Sequence, residues 1–122
     1  MKYLLLLLML VAGCARAADD WSRGDWNRQW IYTGLHLADW AQRRYAVSHP
    51  EKYHETGIPK WFFGSHPTLR QFNNYMAATL IGHWAITNAL PTKYRPIWQW
   101  GTISVEAYVV LHNRSIGIRF EF

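Results

Sequence analysis

The chain has a single cysteine, Cys14. One cysteine forms no internal disulfide, and it excludes thiolate zinc sites built from several cysteines. Charged side chains are also few, at 17% of the 122 residues. The Lys and Arg are scattered and follow no recognition motif, so nucleic acid is not an expected partner despite the net charge of +5. No His-Glu-x-x-His, Gly-x-Ser-x-Gly or glycine-rich phosphate loop occurs, and no Glu-x-x-His pair falls on an expected helix. Outside the leader the longest apolar cores, Met76 to Leu90 and Ile97 to Leu111, have fifteen residues each. That is short of the ~20 a bilayer-spanning helix needs.

Aromatic residues are abundant, and all eight tryptophans follow residue 20. Tryptophan and tyrosine, with an apolar body and a polar tip, concentrate in cores, interfaces and membrane-surface belts. The first residues are a leader: Lys2, then a leucine run from Leu4 to Leu10, closed by Val11-Ala12-Gly13-Cys14. A short charged start and apolar run of this kind direct export and are not part of the fold. Val11-Ala12-Gly13-Cys14 resembles the lipobox of bacterial lipoproteins. The resemblance implies cleavage before Cys14, with lipid on its thiol and on the new amino terminus. Ala15 in the following position implies the outer membrane, facing the periplasm, where the host has one. Two other readings stay open. Ala15-Arg16-Ala17 also suits an ordinary signal-peptidase site, and the leader could remain as an anchor.

The expected organisation is a signal peptide over 1–13, a lipid-anchor tether over 14–24 and a helical envelope domain over 25–122. Removing residues 1–13 leaves 109 residues, enough for one small core. It removes only Lys2 among the charges, so +5 becomes +4. The predicted fold is mainly α: a small three-helix bundle with a long aromatic loop and a short C-terminal β-like tail.

Asp25 to about Ser48 reads as the first helix, capped by Asp25 or Asn27, with Trp26, Trp30, Leu37, Trp40 and Ala41 at helical spacing. Gly34 in its middle could allow close packing. His49-Pro50 stops it. Glu51 to Thr68 is irregular, with Trp61-Phe62-Phe63 as an ordered plug or a wedge into lipid, and His54, Glu55 and His66 as possible ligand contacts. The second helix starts at Thr68 or Asn73 and runs to about Leu90. It is apolar all round except at Thr79 and His83, and Ala78, Gly82 and Ala85 are small enough for another helix to approach. The third helix covers Tyr94 to about His112. In the tail, Ile116, Ile118, Phe120 and Phe122 alternate with Ser115, Gly117, Arg119 and Glu121, a strand period. A lone strand needs a partner, so the tail is expected to dock on an envelope protein or on a second copy, or to cover the core.

The segments Asp39-x-x-Gln42, Tyr53-His54-Glu55-Thr56, His66-Pro67, Gly82-His83 and His112-Asn113-Arg114-Ser115-Ile116-Gly117-Ile118 together resemble a set of small bacterial and phage envelope proteins without an assigned activity. The chain departs from their pattern at Gln42-Arg43 and Gly57-Ile58-Pro59. The resemblance implies location and architecture, not chemistry.

The candidates for a polar site are His36, Asp39, His83, Glu106, His112 and Asn113. They are expected to form a buried, mutually satisfied network. Two alternatives stay open: an integral membrane protein in which the second and third helices form a hairpin, and a small metal-dependent hydrolase using Asp39, His83 and Glu106. No cofactor is implied, and membrane lipid is the expected partner.

Overall fold

The computed structural model describes residues 19–122, so Cys14, the leader and the site of cleavage lie outside the described residues. Among the described residues there are four helices and no strand. We number them α1 (Arg23–Val47), α2 (Ile58–Phe63), α3 (Leu69–Ala89) and α4 (Arg95–Ser115). The three long helices form the bundle, and α1 packs against both others.

Helix starts follow local chemistry. Ser22, not Asp25 or Asn27, caps α1: its hydroxyl accepts from the Asp25 N–H at 3.0 Å. The Asp25 carboxylate in turn accepts from the Ser22 N–H at 2.9 Å. Two backbone donors at the helix start are thus satisfied reciprocally. Thr68 and Gln71 build the same box for α3, which settles its start at Thr68. Pro96 sits in the first turn of α4, where its missing N–H costs nothing.

The expected irregular loop holds one short helix, α2, with Pro59 in its first turn. Gly64, at φ 79°, ends it in a conformation that side chains disfavour. The aromatic triple divides there. Phe63 meets Tyr75 edge-on at 6.2 Å, while Trp61 is 84% exposed and Phe62 also faces out.

The tail differs from the expected strand. Gly117, at φ 91°, turns the chain back, and the Ile118 N–H bonds to the Asn113 carbonyl at 3.0 Å. Past this turn the Glu121 N–H reaches the Ala41 carbonyl at 2.9 Å. Alternation therefore fails: Ile118 is buried against the bundle, whereas Ile116, Phe120 and Phe122 are exposed.

The face that α1 buries also differs from expectation. The side chains turned inward are Asp25, Gln29, Tyr32, His36, Asp39, Ala41 and Gln42. Trp26, Trp30 and Leu37 point outward, and Trp30 is 60% exposed. On α4 the inward residues are Arg95, Gln99 and Ile103, and Ile97 is 72% exposed. Apolar and polar stripes share the helical period, so spacing alone cannot say which one faces in. The polar stripe wins because each member finds a partner across the bundle, as described below. The apolar core is correspondingly small and includes Phe72, Met76, Ile103 and Ile118. No described residue comes within 4 Å of a Cβ built at Gly34 or Gly82, so neither glycine serves a close approach among the described residues.

The capping box predicts a measurable cost. Ser22→Ala removes the acceptor for the Asp25 N–H and should destabilise the protein by about 1 kcal/mol. For a domain of this size that lowers Tm by about 5 °C. Thermal melting followed by circular dichroism checks it, and an unchanged Tm would show that the α1 start does not depend on Ser22.

Candidate functional site

Polar side chains on α1 recur at 25, 29, 36, 39 and 42, with Tyr32 between them, and each turn meets partners from α3 or α4. At the first end, Arg95 is fully buried. Its guanidinium donates to the carbonyls of Thr87 (3.0 Å), Asp20 (3.0 Å) and Asp19 (2.6 Å) and lies 3.5 Å from the Asp25 carboxylate. A turn further in, the Gln99 amide donates to the Asp25 carbonyl at 3.0 Å, and Arg28 donates to Gln99 Oε1 at 2.8 Å.

Two buried histidines follow, in opposite states. His83 Nδ1 accepts from Gln29 Nε2 at 3.1 Å. Its Nε2 donates to the Thr102 hydroxyl oxygen at 2.8 Å, since that hydroxyl gives its own hydrogen to the Trp98 or Gln99 carbonyl. One nitrogen accepts and the other donates, so the ring is neutral. Burial, and then the nearby charge on His36, push its pKa down to about 4. Tyr32 stacks on it with ring centroids 3.4 Å apart.

His36 sits one turn on. Its Nε2 faces the Met76 carbonyl at 3.0 Å and its Nδ1 faces Glu106 Oε1 at 2.8 Å. Both nitrogens meet acceptors, so the ring is held as imidazolium against a carboxylate. Burial alone would lower its pKa, but the bonds to Glu106 and Met76 outweigh burial and raise it.

Asp39 is the next member. Burial raises its pKa, and Arg43 opposes that shift. Arg43 Nε lies 2.9 and 3.0 Å from the two carboxylate oxygens, and Asn113 Nδ2 donates to Oδ1 at 3.1 Å. Arg43 Nη1 continues to Glu55 Oε2 at 3.0 Å, and Glu55 Oε1 accepts from the Gly57 N–H at 2.8 Å. Glu55 thus fastens the loop before α2 to the bundle. Gln42 donates to the Val110 carbonyl at 3.0 Å and accepts from Asn113 at 3.3 Å.

This end of the polar stripe opens on a cavity of about 260 Å³ between α1, α4, the loop and the tail. Arg43, Glu55, Ser65 and Asn113 supply its polar wall, and Val47, Pro67, Val109 and Ile118 are among its apolar contacts. His54, His66 and His112 are exposed and share its lining.

The expected residues therefore divide. His36 and Glu106 meet, as do Asp39 and Asn113, and His83 is buried in the same stripe with other partners. His112 is outside the buried stripe: it stacks on Tyr108 at 5.9 Å on the surface. The metal alternative is not assembled. The carboxylates of Asp39 and Glu106 and the ring of His83 bind different partners, and no group of three or more His, Cys, Asp or Glu is placed for a metal among the described residues. Sequence reasoning missed Asp25, Gln29, Thr87, Arg95 and Gln99. Its available signal was the run of polar residues at steps of three and four on α1, flanked by tryptophans. No protein-family model matches the chain, and no curated protein or solved structure matches it.

The two histidines give opposite pH dependences. For His83 the unfolded chain takes a proton near pH 6.5, while the folded state resists until about 4. Its contribution to stability is therefore lost as pH falls through that window. For His36 the folded pKa is raised, so its contribution is full below about 6.5 and is lost as pH rises through the folded value. Losing either buried partner should cost on the order of 1–3 kcal/mol. In urea denaturation, the stability gap between wild type and His83→Asn should shrink on acidification, and the gap to His36→Gln should shrink on alkalinisation. Gaps that do not change with pH would refute both protonation states.

Proposed function

We propose that this protein is a lipid-anchored envelope protein whose helical domain is seated in a membrane surface, with a structural or interaction role rather than a catalytic one. The observation that carries the reading is the inverted burial: side chains that could dissolve in water are inside, and large apolar ones are outside. A monomer in water rarely presents a long continuous apolar surface. Here Ile97, Trp100, Val105, Tyr108 and Leu111 form one exposed stripe on α4, and Leu111 is 70% exposed. At 1.5 Å per residue the stripe is ~21 Å long. Its only charged neighbour between Ile97 and Leu111 is Glu106, turned inward to His36. Exposed Lys93 lies before it, and Arg114 and Arg119 lie after it. Aromatic and apolar groups bounded by cations suit an anionic lipid interface.

No helix among the described residues is long and apolar enough to cross a membrane, which supports a lateral seat over a spanning one. The lipobox ending at Cys14 supplies a second attachment, and reversible binding by one element becomes stable with two. Exposed Trp61 and Phe62 of α2 add a wedge for the interface. Ile116, Phe120 and Phe122 of the tail extend the apolar surface toward an envelope partner or a second copy. Phe122 is 95% exposed. Exported, outer-membrane placement facing the periplasm follows from the leader.

Flotation with vesicles of phosphatidylethanolamine and phosphatidylglycerol tests both attachments. Wild type should incorporate a clickable fatty acid and float. Cys14→Ser should lose the label yet still float at low salt. Adding Val105→Glu and Leu111→Glu to Cys14→Ser should reduce flotation at least tenfold. A label-free wild type would remove the lipid anchor, and Cys14→Ser protein that stays at the bottom would remove the lateral seat.

A further inference from the structure

We propose that the cavity between α1, α4 and the loop binds an uncharged, hydroxyl-rich ligand the size of a sugar ring. The proposal rests on the electrostatics and the unused hydrogen-bonding groups of the site, and only its membrane-borne source rests on the reading above.

Charge excludes the first classes. Arg43 is the cation of the cavity wall, and it is already held by Asp39 and Glu55. Two carboxylates against one guanidinium leave no free positive charge there for a phosphate or carboxylate ligand. A cation finds no free carboxylate: Asp39 lies behind Arg43, and Glu55 in the wall already accepts from Arg43 on Oε2 and from the Gly57 N–H on Oε1. A hydrocarbon chain is excluded too, because burying it against Arg43, Glu55 and Asn113 would desolvate those groups without replacing their contacts with water.

What remains is a neutral ligand that both donates and accepts. The lining carries matching groups with no partner among the described residues. Asn113 gives its amide hydrogens to Asp39 and Gln42, leaving its Oδ1 without a donor. None of the rings of His54, His66 and His112 makes a hydrogen bond to a described residue, and all three border this one cavity. An imidazole offers a donor and, when neutral, an acceptor, so the lining presents both kinds. Hydroxyl groups satisfy such a mixture because each can donate and accept. Apart from Thr56 and Ser65, most of the remaining wall is apolar or aromatic, including Val47, Val109 and the rings of Tyr53 and Tyr108. A sugar ring has this character, with hydroxyls around its edge and C–H groups on its faces. The volume of about 260 Å³ falls just below the ~300–1,000 Å³ of drug-sized ligand sites, which suits a single small ring.

Free saccharide and the headgroup of a glycolipid offer the same chemistry. The test uses the protein as purified after expression of the whole chain, in a detergent that carries no sugar, with glucose and N-acetylglucosamine as probes in saturation-transfer NMR. At least one sugar should receive saturation. His66→Ala and His112→Ala, both at exposed positions, should each weaken binding about tenfold, and Val109→Trp should abolish it by filling the cavity. Inorganic phosphate should not compete. If neither sugar receives saturation from folded protein, or if phosphate displaces them, the proposal is overturned. If Val109→Trp loses its circular dichroism signal, the two rim variants decide, and wild-type binding by both overturns the proposal. Vesicles with and without a monohexosyl diacylglycerol separate the sources. Stronger flotation with the glycolipid, reversed by free sugar, assigns the headgroup. Sugar binding in detergent without that preference assigns a soluble saccharide. Loss of flotation on all vesicles, with sugar binding retained, would count against the membrane seat alone.

Discussion

The imidazole of His36 ties the three long helices together. It stands on α1, gives one N–H to a backbone carbonyl of α3 at Met76, and faces the Glu106 carboxylate of α4. A charge at that depth is costly unless it is paired and hydrogen-bonded. The pairing therefore fixes how far α1 can slide or rotate against its neighbours. A one-residue shift of any helix would separate the ring from an acceptor and leave a charge unpaired in the interior. Apolar packing gives a weaker constraint, because one branched side chain can replace another with modest loss.

The same logic extends along α1 in both directions. Toward Arg95 the stripe uses amides and a guanidinium, and toward the cavity it uses carboxylates, Arg43 and Asn113. His83 and His36 show how local wiring sets the state of one residue type. The first meets a donor and an acceptor, the second meets two acceptors, and Tyr32 packs between them. A network in which every member has a partner rigidifies a bundle, whereas one missing partner leaves an unsatisfied group at full desolvation cost. Such an interior contributes specificity of alignment more than it contributes hydrophobic stability. The apolar residues displaced from the core are those that line the exterior.

Polar interior and apolar exterior meet at the cavity. There the stripe reaches the surface through Arg43 and Asn113, and the outer stripe of α4 reaches the same mouth through Tyr108. Glu55 holds the wall in place through Arg43, and the turn at Gly117 brings Ile118 against it. The Tyr53 hydroxyl lies 3.4 Å from where a Cβ would stand at residue 117, an ordinary contact, so it is the positive φ of the turn that calls for glycine there.

Local chemistry was legible in the residues alone. Proline and glycine placed the breaks between helices, and the three long helices were readable to within a few residues, with Thr68 one of two candidate starts for α3. His36, Asp39, His83 and Glu106 stood out because each interrupts an apolar run. Spacing could not supply the direction each helix faces. Asp25 and Trp26 are adjacent and share one period, and only the presence of Arg95, some seventy positions away, makes the aspartate the inward residue. Pairs such as His36 with Glu106 and Gln29 with His83 likewise join distant segments, so no local pattern announces them. The alternating tail read as a strand because a period of two specifies alternation, not a ladder to join. Gly117 and the reach to Ala41 decided otherwise. Sequence determined which segments are helical and which residues are costly to bury. The tertiary structure decided which of those costs are met, because only across the bundle do the donors and acceptors come within bonding distance.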